Sequence, residues 1–231
     1  MLKKSWLRLG ALLALLLVLA VPLAYAKTII VDGNPADWAA APAQGPLVTD
    51  PDEGGVLQNL DIGDVYFTND SANIYWRVDT RAGTDWINTS LVICLDTDNN
   101  TGTGSSALGT CNNAPGIDYS FTFVRSGPGP NLSPLNLSLH LYCSAGSCLE
   151  VGDSTGVVGA RQLPNGTGTA AEIGLPIIRL REDASGAAAT NGIPSSCTSA
   201  IPCLIPSRII LGNPASEPDD DVSMLVGPDP I

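Results

Sequence analysis

Short, regular patterns of apolar and polar positions recur along this chain. Leu135, Leu137, Leu139 and Leu141 alternate with Asn136, Ser138, His140 and Tyr142, the period of two of a strand with one covered and one solvated face. Ile117, Tyr119, Phe121 and Phe123 alternate in the same way with Asp118, Ser120, Thr122 and Val124, which predicts aromatics directed inward. Residues 65–68 and 74–78 flank Asn69-Asp70-Ser71-Ala72-Asn73, a turn by composition, and predict a hairpin. On its second arm Ile74, Trp76 and Val78 share one face, and Tyr75, Arg77 and Asp79 the other. Residues 91–95, Leu-Val-Ile-Cys-Leu, show no polar alternation and read as a strand covered on both faces. Residues 28–31, 156–162, 169–175, 208–211 and 222–226 are further strand candidates, with one helical turn at 177–182 after Pro176. Many short strands, frequent turn signals and few helical patterns predict an all-β, antiparallel β-sandwich.

The run 91–95 ends abruptly in Asp96, Asp98 and Asn100, alternating with Thr97, Asn99 and Thr101. Oxygen ligands at every second position of a tight loop suit calcium, which takes six to eight oxygens from carboxylates, amides, carbonyls and water. Asp118, at the mouth of the next strand, is placed to complete the set. The loop is not an EF-hand, because Thr101 stands where the glycine belongs and no Glu closes it. The other reading is an Asx-rich turn in which the same side chains bond their own backbone. A second acidic stretch, Asp50, Asp52, Glu53, Asp61 and Asp64, is either a solvated face or a second cation site.

Composition sets the compartment. Lys3, Lys4 and Arg8 precede an uncharged apolar stretch at 9–21, and Ala24-Tyr25-Ala26 supplies a small-x-small cleavage pattern, so residues 1–26 read as a secretory signal peptide. The expectation is a secreted, extracellular or cell-surface protein, with one domain at 27–231 and no membrane span after cleavage. Without those three basic residues, eight remain against 23 acidic ones, a net charge of −15. Such a charge repels phosphate backbones, which argues against nucleic acid as a partner. All 6 cysteines lie in the exported part, as expected of disulfides in an oxidising compartment. Nearest-neighbour pairing gives Cys94 with Cys111, Cys143 with Cys148 and Cys197 with Cys203, the last pair within a Cys-rich excursion at 183–206. The spacings fit no common zinc pattern, and there is only 1 His.

Candidate ligand-binding aromatics are Trp86 and, ranked below it, Tyr75 and Tyr142. Trp86 follows a loop by composition and is either presented at an edge of the sandwich or partly covered by that loop. Catalytic patterns fail. Gly152-Asp153-Ser154-Thr155-Gly156 matches the letters of a nucleophile elbow, yet the single His140 lies upstream, and no spacing singles out a carboxylate pair for glycoside hydrolysis. The non-enzymatic alternative to glycan binding is a b-type haem held by His140 and Met224. A third reading is a cell-envelope structural domain with protein partners and no small ligand. Sequons such as Asn88-Thr-Ser and Asn136-Leu-Ser are candidate glycosylation sites.

Five segments in order carry a resemblance: Ile-Ile-Val-Asp-Gly with Ala-Asp-Trp38; Val-Tyr-Phe-Thr-Asn-Asp70 leading to Ile-Tyr-Trp76; Leu-Asp96-Thr-Asp98-Asn-Asn100-Thr-Gly102; Gly116-Ile-Asp118-Tyr; and Ala-Glu172-Ile-Gly-Leu-Pro176. Together they resemble the family 9 carbohydrate-binding modules and the wider DOMON-like superfamily. The resemblance implies a jelly-roll-like sandwich, calcium of mainly structural use, and in some members a sugar held between aromatic rings or a haem. By position it implies calcium ligation by Asp96, Asp98, Asn100 and Asp118, and structural roles for Trp38 and Glu172. The implied partner is a polysaccharide or cell-surface glycan. The sugar-sandwiching tryptophan pair of that family has no clear counterpart here.

Overall fold

A strand that alternates apolar and polar residues needs a second layer over its apolar face, and the chain supplies two sheets that cover each other. The computed structural model describes residues 27–39, 47–52, 54, 60–82, 90–104, 111, 115–124, 136–144, 147–150, 159–163, 170–181, 205–212 and 220–226, with backbone alone described at 124, 136–144, 147–150, 159–163, 179, 181 and parts of the last two strands. After a four-residue helix α1 (Ala36–Ala39), the strands are β1 (Val48–Thr49), β2 (Ile62–Asn69), β3 (Asn73–Thr80), β4 (Ser90–Leu95), β5 (Tyr119–Val124), β6 (Asn136–Ser144), β7 (Ser147–Glu150), β8 (Gly159–Leu163), β9 (Ala170–Pro176), β10 (Ile205–Gly212) and β11 (Asp220–Val226). A 3-10 turn, Ile177–Arg181, follows β9. One sheet has five strands in the order β1-β2-β3-β9-β8, the other six in the order β11-β10-β4-β5-β6-β7. Every pairing is antiparallel, so the chain forms an all-β sandwich. No helix among the described residues is long and apolar enough to cross a membrane.

The core is the product of the alternation. Ile74, Trp76 and Val78 of β3, with Ala171, Ile173 and Leu175 of β9, pack in one buried cluster with Leu91, Ile93 and Leu95 of β4 and Tyr119, Phe121 and Phe123 of β5. Trp76 is fully buried and meets Phe67 edge-on with ring centroids 5.4 Å apart. Ile62 and Val65, three positions apart and so of opposite parity, both reach the core because the β2–β3 register slips between them. β4 is covered on both faces, as its sequence predicts. Val92 and Cys94 lie in a second small cluster with Cys111, Ile117 and Ile210 on the far side of the six-stranded sheet.

Three sequence expectations change. Residues 28–31 form no strand; they run past the end of β2, tied by the Lys27 N–H to the Asn69 carbonyl at 2.7 Å. In β6 the register pairs Leu139 with Thr122 and Leu141 with Ser120, whereas His140 stands opposite Phe121 and Tyr142 opposite Tyr119. The register slips between Thr122 and Phe123, so that Leu137 stands opposite Phe123, and alternation alone does not fix which residues of β6 pair with the core aromatics. Finally, the acidic stretch at 50–64 is not merely a solvated face, since Asp50 and Asp61 are buried. Trp86 and the Cys197 and Cys203 pair lie outside the described residues.

Candidate metal centre

β4 is the third strand of its sheet, held between β10 and β5, so its C-terminal end is a fixed point from which the acidic loop departs. β5 begins beside it, and the Asp118 N–H donates to the Leu95 carbonyl at 2.9 Å. This brings residues far apart in sequence together. Oxygens of Asp96, Asp98 and Asp118 lie within 4.8 Å of one another. Asp96 and Asp118 are buried and Asp98 half-buried.

The loop is shaped by its own hydrogen bonds. The Asn100 N–H is shared between Asp96 Oδ1 and Asp98 Oδ1, both at 3.0 Å. Asp118 Oδ2 accepts from the Thr97 N–H at 2.8 Å and from its hydroxyl at 3.0 Å. The Thr103 hydroxyl lies 3.0 Å from both Asp98 oxygens and 2.7 Å from the Asn100 carbonyl. Asn99 adopts a positive φ of 53°, a conformation that asparagine tolerates better than most residues. Gly116 is required for a different reason: at φ +82° a Cβ would come within 2.8 Å of the Thr101 Cα and 2.9 Å of Asp96 Oδ2. Gly104 likewise leaves no room for a Cβ beside the Ile117 carbonyl.

Of the four ligands expected from sequence, the structure brings the three carboxylates together. The side-chain oxygen of Asn100 instead accepts the Gly102 N–H at 3.0 Å, closing an Asx turn. The hydrogen bonds of an Asx-rich turn hold the carboxylates in place, and the three carboxylates lie close to one another. Burial, and then the neighbouring Asp98, push the Asp96 carboxyl up to about 6 against the pull of the Asn100 and Asn99 N–H groups. An all-oxygen donor set of this kind fits a hard cation such as calcium, and lacks the thiolate or imidazole that zinc or copper prefers. Thr97, Thr103, Gly104 and Gly116 are the parts of this site that residue type alone did not reveal.

Other expected site residues are distributed differently. Tyr75 is only 1% exposed, so its ring offers no open face for a sugar. Its hydroxyl donates to Asp70 Oδ2 at 2.7 Å and accepts from Asn73 Nδ2 at 3.1 Å. Burial and the Asp70 acceptor push Tyr75 up to about 12. Tyr142 belongs to β6 of the other sheet, its side chain outside the described residues. His140 and Met224 lie on β6 and β11, which are separated by β5, β4 and β10. Cys94 and Cys111 form the expected disulfide, with Cα atoms 6.1 Å apart. Cys143 and Cys148 stand directly opposite each other across the β6–β7 hairpin, their side chains outside the described residues.

Trp38 and Glu172 meet across the chain. Glu172 is wholly buried, and its two oxygens accept from the Gly33 N–H and, at 3.0 Å, from the Trp38 indole. Burial raises the Glu172 carboxyl above its ordinary value despite these two donors. The carboxylate thus fastens the segment 33–38 over β9, consistent with structural rather than ligand-binding use of Trp38. Comparison with protein-family models, with curated proteins and with solved structures finds no match for this chain.

Proposed function

We propose that this protein is an exported, non-catalytic β-sandwich module whose acidic loop holds a structural calcium ion and which acts by binding outside the cell, with glycan as its ligand class. The observation that carries the calcium reading is the convergence of Asp96, Asp98 and Asp118 at the end of a central strand. Asp96 and Asp98 would hold the ion from the loop and Asp118 from the start of β5; the ion would supply the positive charge that lets three carboxylates stay close. The glycan reading is supported by the sequence resemblance and rests on Trp86 as the stacking residue. The signal-peptide pattern, the net charge and the disulfide support export.

The burial of Tyr75 favours a second reading, an envelope interaction domain that binds protein partners and no small ligand. Thermal unfolding of mature protein with calcium or chelator, against a panel of soluble oligosaccharides, separates the two. Calcium at about a hundred times its dissociation constant should add about 2.7 kcal/mol of stability. A further shift with one sugar class, lost in Trp86→Ala, supports the glycan module. A calcium shift with no response to any sugar supports the interaction domain.

A further inference from the structure

Asn99-Asn100-Thr101 reads Asn-x-Thr with a residue other than proline in the middle, the acceptor pattern for N-linked glycan. Asn69-Asp70-Ser71 matches the same pattern, and at these two sequons the asparagine side chain is among the described residues. The two amides have opposite surroundings. Asn69 ends β2 and is 1% exposed; its Nδ2 donates to the Asp70 carbonyl at 3.2 Å, and its own carbonyl accepts the Lys27 N–H. A bulky polar substituent on that nitrogen would have to be buried with it, at high cost. Asn99 is exposed in the turn after β4, with Asn100 and Thr101 exposed beside it. The bonds that shape this turn run from the Asn100 and Gly102 N–H groups and the Thr103 hydroxyl to oxygens of Asp96, Asp98 and Asn100. None of those bonds uses the Asn99 amide, so a substituent there leaves each of them in place.

We propose that Asn99 is a site of N-linked glycosylation, filled while the chain is exported. This rests on the export reading given above and needs no ion in the acidic loop. The donor is, by class, a lipid-linked oligosaccharyl pyrophosphate. Asn99 Nδ2 forms a bond to C1 of the first sugar, and the bond from C1 to the pyrophosphate oxygen breaks. The amide gives up one proton, the lipid pyrophosphate leaves with the electron pair, and nothing is oxidised or reduced. Before folding, Asn69 and Asn99 are equally open to the transferase; the folded state separates them. A chain modified at Asn69 cannot bury that amide at the end of β2 or seat Lys27 against it, whereas a chain modified at Asn99 folds with the sugar in solvent. The folded, secreted protein therefore carries glycan at Asn99 and not at Asn69.

The test is to express the full chain in a eukaryotic cell line, whose export pathway carries this transferase, and to map the secreted protein by mass spectrometry. Digestion with peptide N-glycosidase in heavy-oxygen water converts each glycosylated asparagine to a labelled aspartate. Labelled aspartate is expected at position 99 and unmodified asparagine at position 69. Thr101→Ala should lose the modification at Asn99, and Thr101→Ser should keep it, because serine retains the hydroxyl of the acceptor pattern. Secreted protein with Asn99 unmodified would overturn the site and leave the export reading standing. So would a Thr101→Ala chain still labelled at position 99, since the label would then have another origin. A chain retained in the cell with residues 1–26 attached would overturn both readings. The mapping uses the unaltered chain, so a variant that failed to fold would leave the test intact.

Discussion

Two stretches of this chain are rich in acid, and the structure treats them oppositely. In the loop after β4, the carboxylates of Asp96, Asp98 and Asp118 are turned toward one another. In the stretch 50–64, Asp52, Asp61 and Asp64 are turned toward protein donors instead. Asp61 pairs with Arg81 at 2.7 Å, and Asp64 accepts from the Thr49 hydroxyl at 2.6 Å. The Arg81 guanidinium also reaches the Asp50 backbone carbonyl, and the Arg81 N–H donates to the Asp61 carbonyl at 3.0 Å. The difference lies in the neighbouring strand end. Arg81 follows β3, whose pairing with β2 places it beside Asp61, whereas the pairing of β4 with β5 brings a further acid, Asp118, beside Asp96. A count of carboxylates therefore does not identify a cation site; what matters is whether the fold has already supplied the counter-charge.

The largest effect expected from this contrast is at Arg81. Asp61 is 0% exposed and its second oxygen is buried without a hydrogen-bond partner, so Arg81→Ala leaves a buried charge unmatched. A loss of about 3 kcal/mol is expected, the lower end of the range for breaking buried pairs because Arg81 is partly exposed. Urea unfolding with and without chelator measures it. The loss should be the same in both; a calcium-dependent loss would show that this stretch, too, holds a cation and would erase the contrast.

A smaller effect is expected from a pair of glycine substitutions, one in each stretch. Gly54 and Gly116 both have positive φ, 65° and 82°, but only Gly116 has atoms in the way of a Cβ. Each substitution to Ala should cost about 1–2 kcal/mol from the backbone conformation. Gly116→Ala should in addition displace Asp96 and weaken calcium binding in calorimetry, while Gly54→Ala leaves binding unchanged. Equal calcium affinity in the two variants would separate Asp96 from the ion.

The smallest effect concerns Asp70, a third acid with a third solution. Burial pushes its carboxyl up, but the Ala72 N–H, the Tyr75 hydroxyl and the Asn73 N–H outweigh it and hold it below its ordinary value. A depressed folded value contributes stability that is present above the unfolded value and is lost as pH falls through the folded one. Asp70→Asn should therefore flatten the acid limb of the stability curve below about pH 4 and leave calcium binding untouched. An unchanged acid limb would show that these three hydrogen bonds do not survive in solution.

Much of this was legible because it is local. The alternation of β5, the turn at Asn69 to Asn73, the continuous apolar run of β4 and the close spacing of Cys94 and Cys111 each depend on neighbours within a few residues or on one short loop. The acidic loop was legible for the same reason, since Asp96 and Asp98 are presented by one turn. Its completion by Asp118 was readable only because Asp118 opens the next strand.

What the tertiary structure alone decided were relations between strands. Tyr75 lies on the face predicted for it, yet segment 27–31 crosses that face, and Ile29, 2% exposed, bonds the tyrosine hydroxyl through its backbone. The strand order put β6 and β11 on either side of β5, β4 and β10, and so set His140 and Met224 on strands four places apart. Pairing likewise set Glu172 beneath Trp38 and Asp61 beside Arg81. Period and composition fix which residues can share a face, because backbone geometry imposes that over a few ångström. Which faces meet, and whether a buried carboxylate finds an arginine or only other carboxylates, depends on strand order and register, which no local pattern encodes.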